Sequence, residues 1–478
     1  MISEEELEAT IGLETHVQLN TRSKIWCACS TTFGAPPNTN VCPVCMGYPG
    51  ALPVLNENAV RLTVIAGLAL GCEINLRSKH DRKSYFYPDM PKNYQITQYD
   101  QPLCLGGQVV YSLDGVERVV RLNRIHLEED VGKNTHFENS SGVDYNRAGT
   151  PLMEIVTEAD LHSAEEAFAY LQALKEILSY AGVSHCNLEE GNMRCDVNIS
   201  VAPKGSDKLG VKTELKNMNT FRGVRDAATY EIKRQKREVS VGGTIQQTTI
   251  RWDDTTGKTS AMRSKEYAHD YRYFPDPDLM PIVLTDEEVD ALRSALPEMP
   301  AQRRERYVQE LGLPAYDAEV LVADREISDF FEQTATLCGN AKSASNFLMG
   351  DMMRMLNDQE RSINSVAISP ESLAELIKLF DAKKVNNQGA KEVFEVLFEK
   401  GGDALEIAKE LGKIQTSDTG SIEPFVAQVI EEHPGPVSDY QGGKDAALQF
   451  LVGQVMRLSR GKANPQVVGD LFKDKLGT

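Results

Sequence analysis

Long apolar runs are missing from this 478-residue chain. The best of them, "AVRLTVIAGLALG" from Ala59 to Gly71, falls short of the about 20 residues that a bilayer-spanning helix needs, so no membrane span is expected. The first residues, "MISEEELEAT", lack the basic start and apolar core of a secretory signal, and the expected location is the cytoplasm. Positive charge is also scarce: 51 Lys and Arg face 70 Asp and Glu, for a formal net charge of −19. Such a chain repels a polyanion at long range, which excludes nucleic-acid binding by bulk charge and leaves only local basic patches for it. The common nucleotide and hydrolase signatures are absent as well. "TTGKTS" (255–260) mimics the end of a phosphate loop, but the first glycine of G-x-x-x-x-G-K-[ST] would fall at Trp252. There is no G-x-G-x-x-G, G-x-S-x-G or H-E-x-x-H, which excludes a Rossmann fingerprint, a nucleophile elbow and a zincin helix.

What is present is an ordinary globular composition, 41% hydrophobic and 25% charged, with length for two or three domains. Four of the nine cysteines crowd into "CACSTTFGAPPNTNVCPVC". Cys27-x-Cys29 and Cys42-x-x-Cys45 form two short pairs across a turn-rich loop, the usual spacing of a four-thiolate zinc site. The alternative is four reduced thiols in a loop. Four thiolates leave no open coordination position, so a zinc here is expected to be structural and the chemistry to lie elsewhere.

Alternation shows where to look. In "TIGLETHVQL" (10–19), Ile11, Leu13, Thr15, Val17 and Leu19 point one way and Gly12, Glu14, His16 and Gln18 the other, the pattern of a half-buried strand. Glu14 and His16 thus share a face and can hold a divalent cation or each other. "RIHLEEDVGK" (124–133) offers His126, Glu128, Glu129 and Asp130. "TPLMEIVTE" (150–158) sets Glu154 between Met153 and Ile155. "MRCDVNISV" (193–201) lines up Arg194, Asp196, Asn198 and Ser200, and "VKTELKN" (211–217) Lys212, Glu214 and Lys216. Any one of these is read most simply as a solvated face. Several such strands in one sheet imply a polar surface suited to metal and phosphate.

These stretches, with "YFYPDMPKNYQITQYDQPL", "NRAGTPLMEIVTE", "EEGNMRCDVNISV", "ELKNMNTFRGVRDA" and "DYRYFPDPDLMPI", closely resemble the B subunits of aspartyl/glutamyl-tRNA amidotransferases, from about residue 10 to the C-terminus. The resemblance implies one subunit of a three-protein ligase, with an amidase (A) subunit and a small C subunit as partners. Its function would be ATP-dependent phosphorylation of the side-chain carboxylate of misacylated Glu-tRNA(Gln) or Asp-tRNA(Asn), followed by amidation with ammonia from the amidase. The implied cofactors are ATP, Mg2+ and, through Cys27, Cys29, Cys42 and Cys45, a structural Zn2+ carried by only some members. Carried onto matching positions, the family's metal site falls on Glu14, His16, Glu129 and Glu154, with Glu128 beside it. Histidine is a less typical magnesium ligand than a manganese or zinc one. Lys79, Arg194 and Lys216 are expected among the catalytic and substrate contacts, and Arg82, Lys83 and Glu214 at the nucleotide. Two other readings are a zinc-stabilised tRNA-binding scaffold and an assembly subunit. The acidic cluster argues against both.

The expected fold class is α+β: an N-terminal mixed or antiparallel sheet domain with helices (1–294), a helical region (295–407) and a small helical tail (408–478). Ser163 with Glu166 spells a capping box for a helix to about Tyr180. Ser369-Pro370 opens another helix, and 444–461 reads as a third ending at Gly461. From Tyr440 onward six Lys and Arg face three Asp, a modestly basic end around Arg457, Arg460 and Lys462 that resembles the family's tRNA-contacting domain, while "KRQKRE" from Lys233 reads as a solvated helix face.

Overall fold

A computed structural model of the chain describes residues 2–188, 190–261, 271–416, 418–459 and 461–477. Glu189, Asp270 and Arg460, which belong to the stretches above, lie outside the described residues. The chain packs as two units, Met1–Pro300 and Ala301–Thr478. The first is built on a ten-stranded sheet and the second on helices, so the fold class is α+β.

The central strand of the sheet is Leu7–Gln18, which alternates without a break between buried and partly exposed positions. It pairs antiparallel with Met193–Pro203 on one side and Pro151–Thr157 on the other. Beyond Pro151–Thr157 lies the long strand Val116–Glu129, then the short Cys104–Leu105 and Glu73–Ile74; Gln108–Leu113 also pairs with Val116–Glu129. In the other direction come Thr213–Lys216, Thr248–Asp253 and Lys258–Ala261. Thr213–Lys216 and Thr248–Asp253 run parallel, so the sheet is mixed. "TTGKTS" falls in the tight turn and return strand of the antiparallel pair Thr248–Asp253 and Lys258–Ala261, with Gly257 at φ +63°, and opens no helix.

Period-two alternation gives the sheet two unlike faces. Ile11, Leu13, Val17, Ile125, Leu127, Met153, Ile155, Val197 and Ile199 are each at most 1% exposed and share one core. Helices Glu57–Ala69, Ala164–Tyr180 and Phe221–Ser240 supply the other side of that core through residues such as Val64, Leu171 and Ala227. The opposite face of the same strands carries the charged residues.

Two local expectations need correction. Ser163 does cap the helix Ala164–Tyr180 by accepting from Glu166 N, but Glu166 does not close the box. Its carboxylate accepts instead from His162 N at 2.6 Å, one residue before the cap, and pairs with the distant Arg118. The helix over 444–461 spans Asp445–Leu458, three residues short of Gly461, and Lys444 provides no side-chain cap. The helix Pro370–Asp381 forms as its sequence dictates, with Ser369 accepting from Ser372 N and Pro370 in the first turn. "KRQKRE" lies on the helix Phe221–Ser240, with Lys233 exposed but Gln235 fully buried and bonded to Ile199 O and Thr213 Oγ1. Within the second unit, Ile422, Val426, Val429, Leu451, Val455, Val468 and Phe472 form an apolar cluster of their own.

Candidate functional site

Register turns the polar face into two adjoining clusters. His16 lies opposite Glu154 across one ladder, and Glu154 lies opposite His126 across the next. Glu128 stands two residues beyond His126 on the same face. The His16 Nε2 atom is 3.7 Å from Glu128 Oε1 and 3.6 Å from Glu154 Oε2, and His126 Nε2 is 3.3 Å from Glu154 Oε2. Thr97 Oγ1 donates to the remaining oxygen of Glu128 at 3.3 Å.

The electrostatics of this cluster are those of a cation-binding site. Burial alone would lower the pKa of His16, but Glu154, Glu128 and Asp196 outweigh it and push it up to about 9. His126 is raised for the same reason, against its burial, by Glu154 and Glu128. Burial works to raise Glu154, yet His126 and His16 hold its carboxyl well below the usual carboxylate range. The two carboxylates thus favour the protonated form of each imidazole. One ligand atom each from His16, Glu128 and Glu154 lies within 4.8 Å of the others. An octahedral cation at 2.1 Å spaces adjacent ligands about 3 Å apart, so closing of under 1 Å brings His16 to that spacing from each carboxylate.

The second cluster joins three strands. Glu14 is the ladder partner of Asp196, and Asn198 that of Glu214. Single oxygens of Glu14, Asp196 and Glu214 also lie within 4.8 Å of one another. Asn198 Nδ2 donates to Glu14 at 2.9 Å, Thr249 Oγ1 donates to Glu214 at 2.8 Å, and Lys216 pairs with Asp196 and stands 3.7 Å from Glu214. Lys216 is raised despite desolvation, mainly by Asp196 and Glu214, and so stays a cation. Glu14 and His16 are two residues apart on one strand face, about 7 Å, so the clusters are neighbours along the sheet.

The other expected residues fall at varied distances from this centre. Lys83 lies with its ammonium 4.9 Å from the Tyr271 ring; desolvation opposes its charge, but Glu128, Tyr273 and Glu154 raise its pKa. Lys79 pairs with Asp81 and Asp100, each at 2.5 Å, and Arg82 with Asp276 at 2.9 Å and Asp278 at 2.7 Å. Arg194, opposite His16 in the ladder, reaches Asp130 at 2.7 Å.

Of the expected metal ligands, Glu14 falls in the second cluster and Glu129 in neither. Strand alternation turns Glu129 away from Glu128, and its 1%-exposed carboxylate accepts from Lys92 Nζ at 2.5 Å and Ile96 N at 2.9 Å. Its expected place beside His16 and Glu154 is taken by Glu128. His126 and Asp196 also join the clusters, although nothing in the local pattern singles them out from their polar neighbours. Their signal was the period of their strands; the register that selects them is tertiary.

Cys27, Cys29, Cys42 and Cys45 converge so that their Sγ atoms all lie within 4.8 Å. A tetrahedral zinc with bonds of about 2.3 Å needs sulfurs about 3.8 Å apart, and Cys42 and Cys45 stand at 3.9 Å. Lys24, 0% exposed, sets its ammonium 3.6 Å from Cys45 Sγ and donates to Tyr145 O at 3.1 Å. A wholly buried ammonium needs a negative partner; Cys45, its thiol pKa lowered to about 4 by Cys27, Cys42 and Lys24, provides one, and a zinc tetrathiolate with its net charge of −2 provides a stronger one. The residues therefore fit the metal. Among the described residues no helix is long and apolar enough to cross a membrane.

Residues 9–290 match the family described as the GatB/GatE catalytic domain, and residues 329–476 match the GatB domain. The chain is similar over nearly its whole length to proteins named as the B subunit of aspartyl/glutamyl-tRNA(Asn/Gln) amidotransferase. That of Caldicellulosiruptor bescii is 50% identical over 476 residues, covering 98% of this chain and 99% of the relative. Those of Thermoanaerobacter pseudethanolicus and Clostridium tetani are 50% and 48% identical over 471 and 472 residues, again covering 98% of this chain and 99% of each relative.

Proposed function

Since this chain belongs to the GatB/GatE family, we propose that it is the B subunit of a heterotrimeric tRNA-dependent amidotransferase and carries the step that activates the misplaced acid. The substrates are ATP and Glu-tRNA(Gln) or Asp-tRNA(Asn); the amidase (A) subunit delivers ammonia, a small C subunit completes the cytoplasmic complex, and the product is the cognate amide. The observation that carries this reading is the pair of carboxylate clusters, each with a lysine near it, on one polar sheet face.

A free carboxylate resists ammonia because an oxide would have to leave. Attack of one carboxylate oxygen on the γ-phosphorus of ATP forms a C–O–P link and breaks the bond to ADP. Ammonia then forms the C–N bond, and phosphate departs with the C–O electron pair and the surplus proton. The enzyme's part in such a transfer is positioning and neutralisation of charge. His16, Glu128 and Glu154, with Glu14 in the adjoining cluster, are the residues that would hold Mg2+, which when bound would neutralise phosphate charge. Lys83 and Lys216 face the phosphates, with Glu214 fixing Lys216. Arg82 is held by Asp276 and Asp278 at the nucleotide side. Lys79 and Arg194 orient the acyl end of the tRNA. The four cysteines hold a structural zinc and take no part in the chemistry. The end of the 408–478 tail from Tyr440 onward, with Arg457 and Lys462, gives the tRNA body a local basic contact on an acidic chain.

The assembled complex is expected to form ADP when given ATP and misacylated tRNA, and to do so far more slowly with uncharged tRNA. ADP formation indifferent to the acyl group would leave the chain a tRNA-binding scaffold.

A further inference from the structure

The fate of Glu129 leads from the cation site to the cysteine knuckle. Lys92 extends from beneath that knuckle. Gly47, two residues past Cys45, sits at φ +67°, where a Cβ would lie 2.7 Å from Lys92 Cγ and 3.0 Å from its Cα. The knuckle backbone thus rests directly on the stem of Lys92, in a conformation that only glycine adopts without strain. The Lys92 ammonium, in a side chain 8% exposed, then pairs with Glu129 at 2.5 Å.

A second seam runs alongside. Gly149, at φ +82°, lies where a Cβ would meet Lys24 Cδ at 3.5 Å, Cys45 Cβ at 3.7 Å and Glu129 Oε2 at 3.8 Å. Its carbonyl accepts from Ile25 N at 2.8 Å, and its N–H donates to Asp130 O at 2.9 Å. Knuckle, Lys24 and Glu129 are therefore packed against a single glycine. On the far side, Ile96 N donates to Glu129 while Thr97 Oγ1 donates to Glu128, so one short strand, Tyr94–Thr97, holds both carboxylates. Gln95 Nε2 adds a bond to the Glu129 carbonyl at 2.7 Å.

We propose that the Lys92–Glu129 ion pair is a positioning element through which the cysteine knuckle fixes the end of the strand that presents Glu128 to the cation-binding face. The inference rests on the reading of His16, Glu128 and Glu154 as a cation site. Glu129 and Glu128 are consecutive residues with opposite outlooks, so locking the first sets the backbone from which the second projects. The knuckle acts as the fixed wall against which Lys92 is held. Partners one step removed from a metal ligand commonly govern affinity by orienting it.

The test is titration of the full-length chain, purified with its partner subunits, with Mn2+ followed by electron paramagnetic resonance. The native protein and His16→Ala come first: binding that survives His16→Ala unchanged defeats the cation-site reading itself. With that site established, Lys92→Met and Glu129→Gln are each expected to weaken Mn2+ binding about tenfold while zinc content stays native. Lys92→Arg, which keeps the pair, is expected to bind Mn2+ nearly as the native protein does. Native Mn2+ affinity in Glu129→Gln overturns the proposal. Should Lys92→Met lose its zinc or its fold, Glu129→Gln, which leaves the knuckle untouched, decides alone.

Discussion

Glu154→Ala is expected to lower misacylated-tRNA-dependent ADP formation by about 1,000-fold and to abolish tight Mn2+ binding. Glu154 is the middle member of its cluster, within 3.6 Å of His16 and 3.3 Å of His126, on the strand that joins theirs. Removing it takes away one ligand of three. It also removes the charge that most favours the protonated form of His16, leaving Glu128 to balance two imidazoles. Glu154→Gln separates charge from shape: the amide fills the same space but cannot neutralise a cation. Glu154→Gln is therefore expected to fold like the native protein and to be nearly as inactive as Glu154→Ala. Both are read by ADP release at saturating ATP and by Mn2+ titration. Turnover within about threefold of native in either variant, with Mn2+ binding intact, would remove Glu154 from the cation site.

Loss of the zinc is expected to have the largest effect on stability. In Cys42→Ser the bound metal should fall from about one per chain to almost none, since a hydroxyl is a poor fourth ligand for zinc. Lys24 would then keep its ammonium fully buried with only Cys45 Sγ and the Tyr145 carbonyl beside it, the −2 charge of the metal site gone. A buried charge deprived of its partner costs about 3–5 kcal/mol, and the cost should appear in the first unit. Elemental analysis and chemical denaturation measure the two effects. The compensating variant is Lys24→Met with the cysteines intact: it removes the counter-charge and should weaken zinc retention against a chelator. A Cys42→Ser protein with native stability would mean that the thiols need no metal.

Much of the fold was legible because alternation is a strong local signal. The split of Leu7–Gln18 into an apolar face of Ile11, Leu13 and Val17 and a polar face of Glu14 and His16 follows from side-chain period alone, and the structure keeps it. Period names a face but not a neighbour. That Glu14 would meet Asp196 and His16 would meet Glu154 depends on ladders between strands over a hundred residues apart in the chain, and Glu214 and Glu128 join through further ladders beyond those. The Glu128–Glu129 pair shows the same limit at finer scale. Two consecutive acids must face opposite ways on a strand, and only Lys92 and Ile96 reveal that Glu129 is the one turned from the site. Glu166 was read as a local cap because Arg118, its long-range partner, is invisible to a rule about neighbours three residues apart. The π-helical turn at Leu348–Met352, inside an otherwise α-helical stretch, had no signal in the pattern of apolar residues.

Oxygen labelling decides whether the acyl carboxylate itself becomes phosphorylated, the step on which the whole reading turns. The complex is given ATP, glutamine and Glu-tRNA(Gln) whose side-chain carboxylate carries 18O in both positions, and the released phosphate is examined by mass spectrometry. Attack of that carboxylate on the γ-phosphorus, followed by displacement by ammonia, sends one labelled oxygen into each phosphate formed with the amide. Phosphate free of label, alongside normal amide formation, would mean that the amide arises without an acyl phosphate.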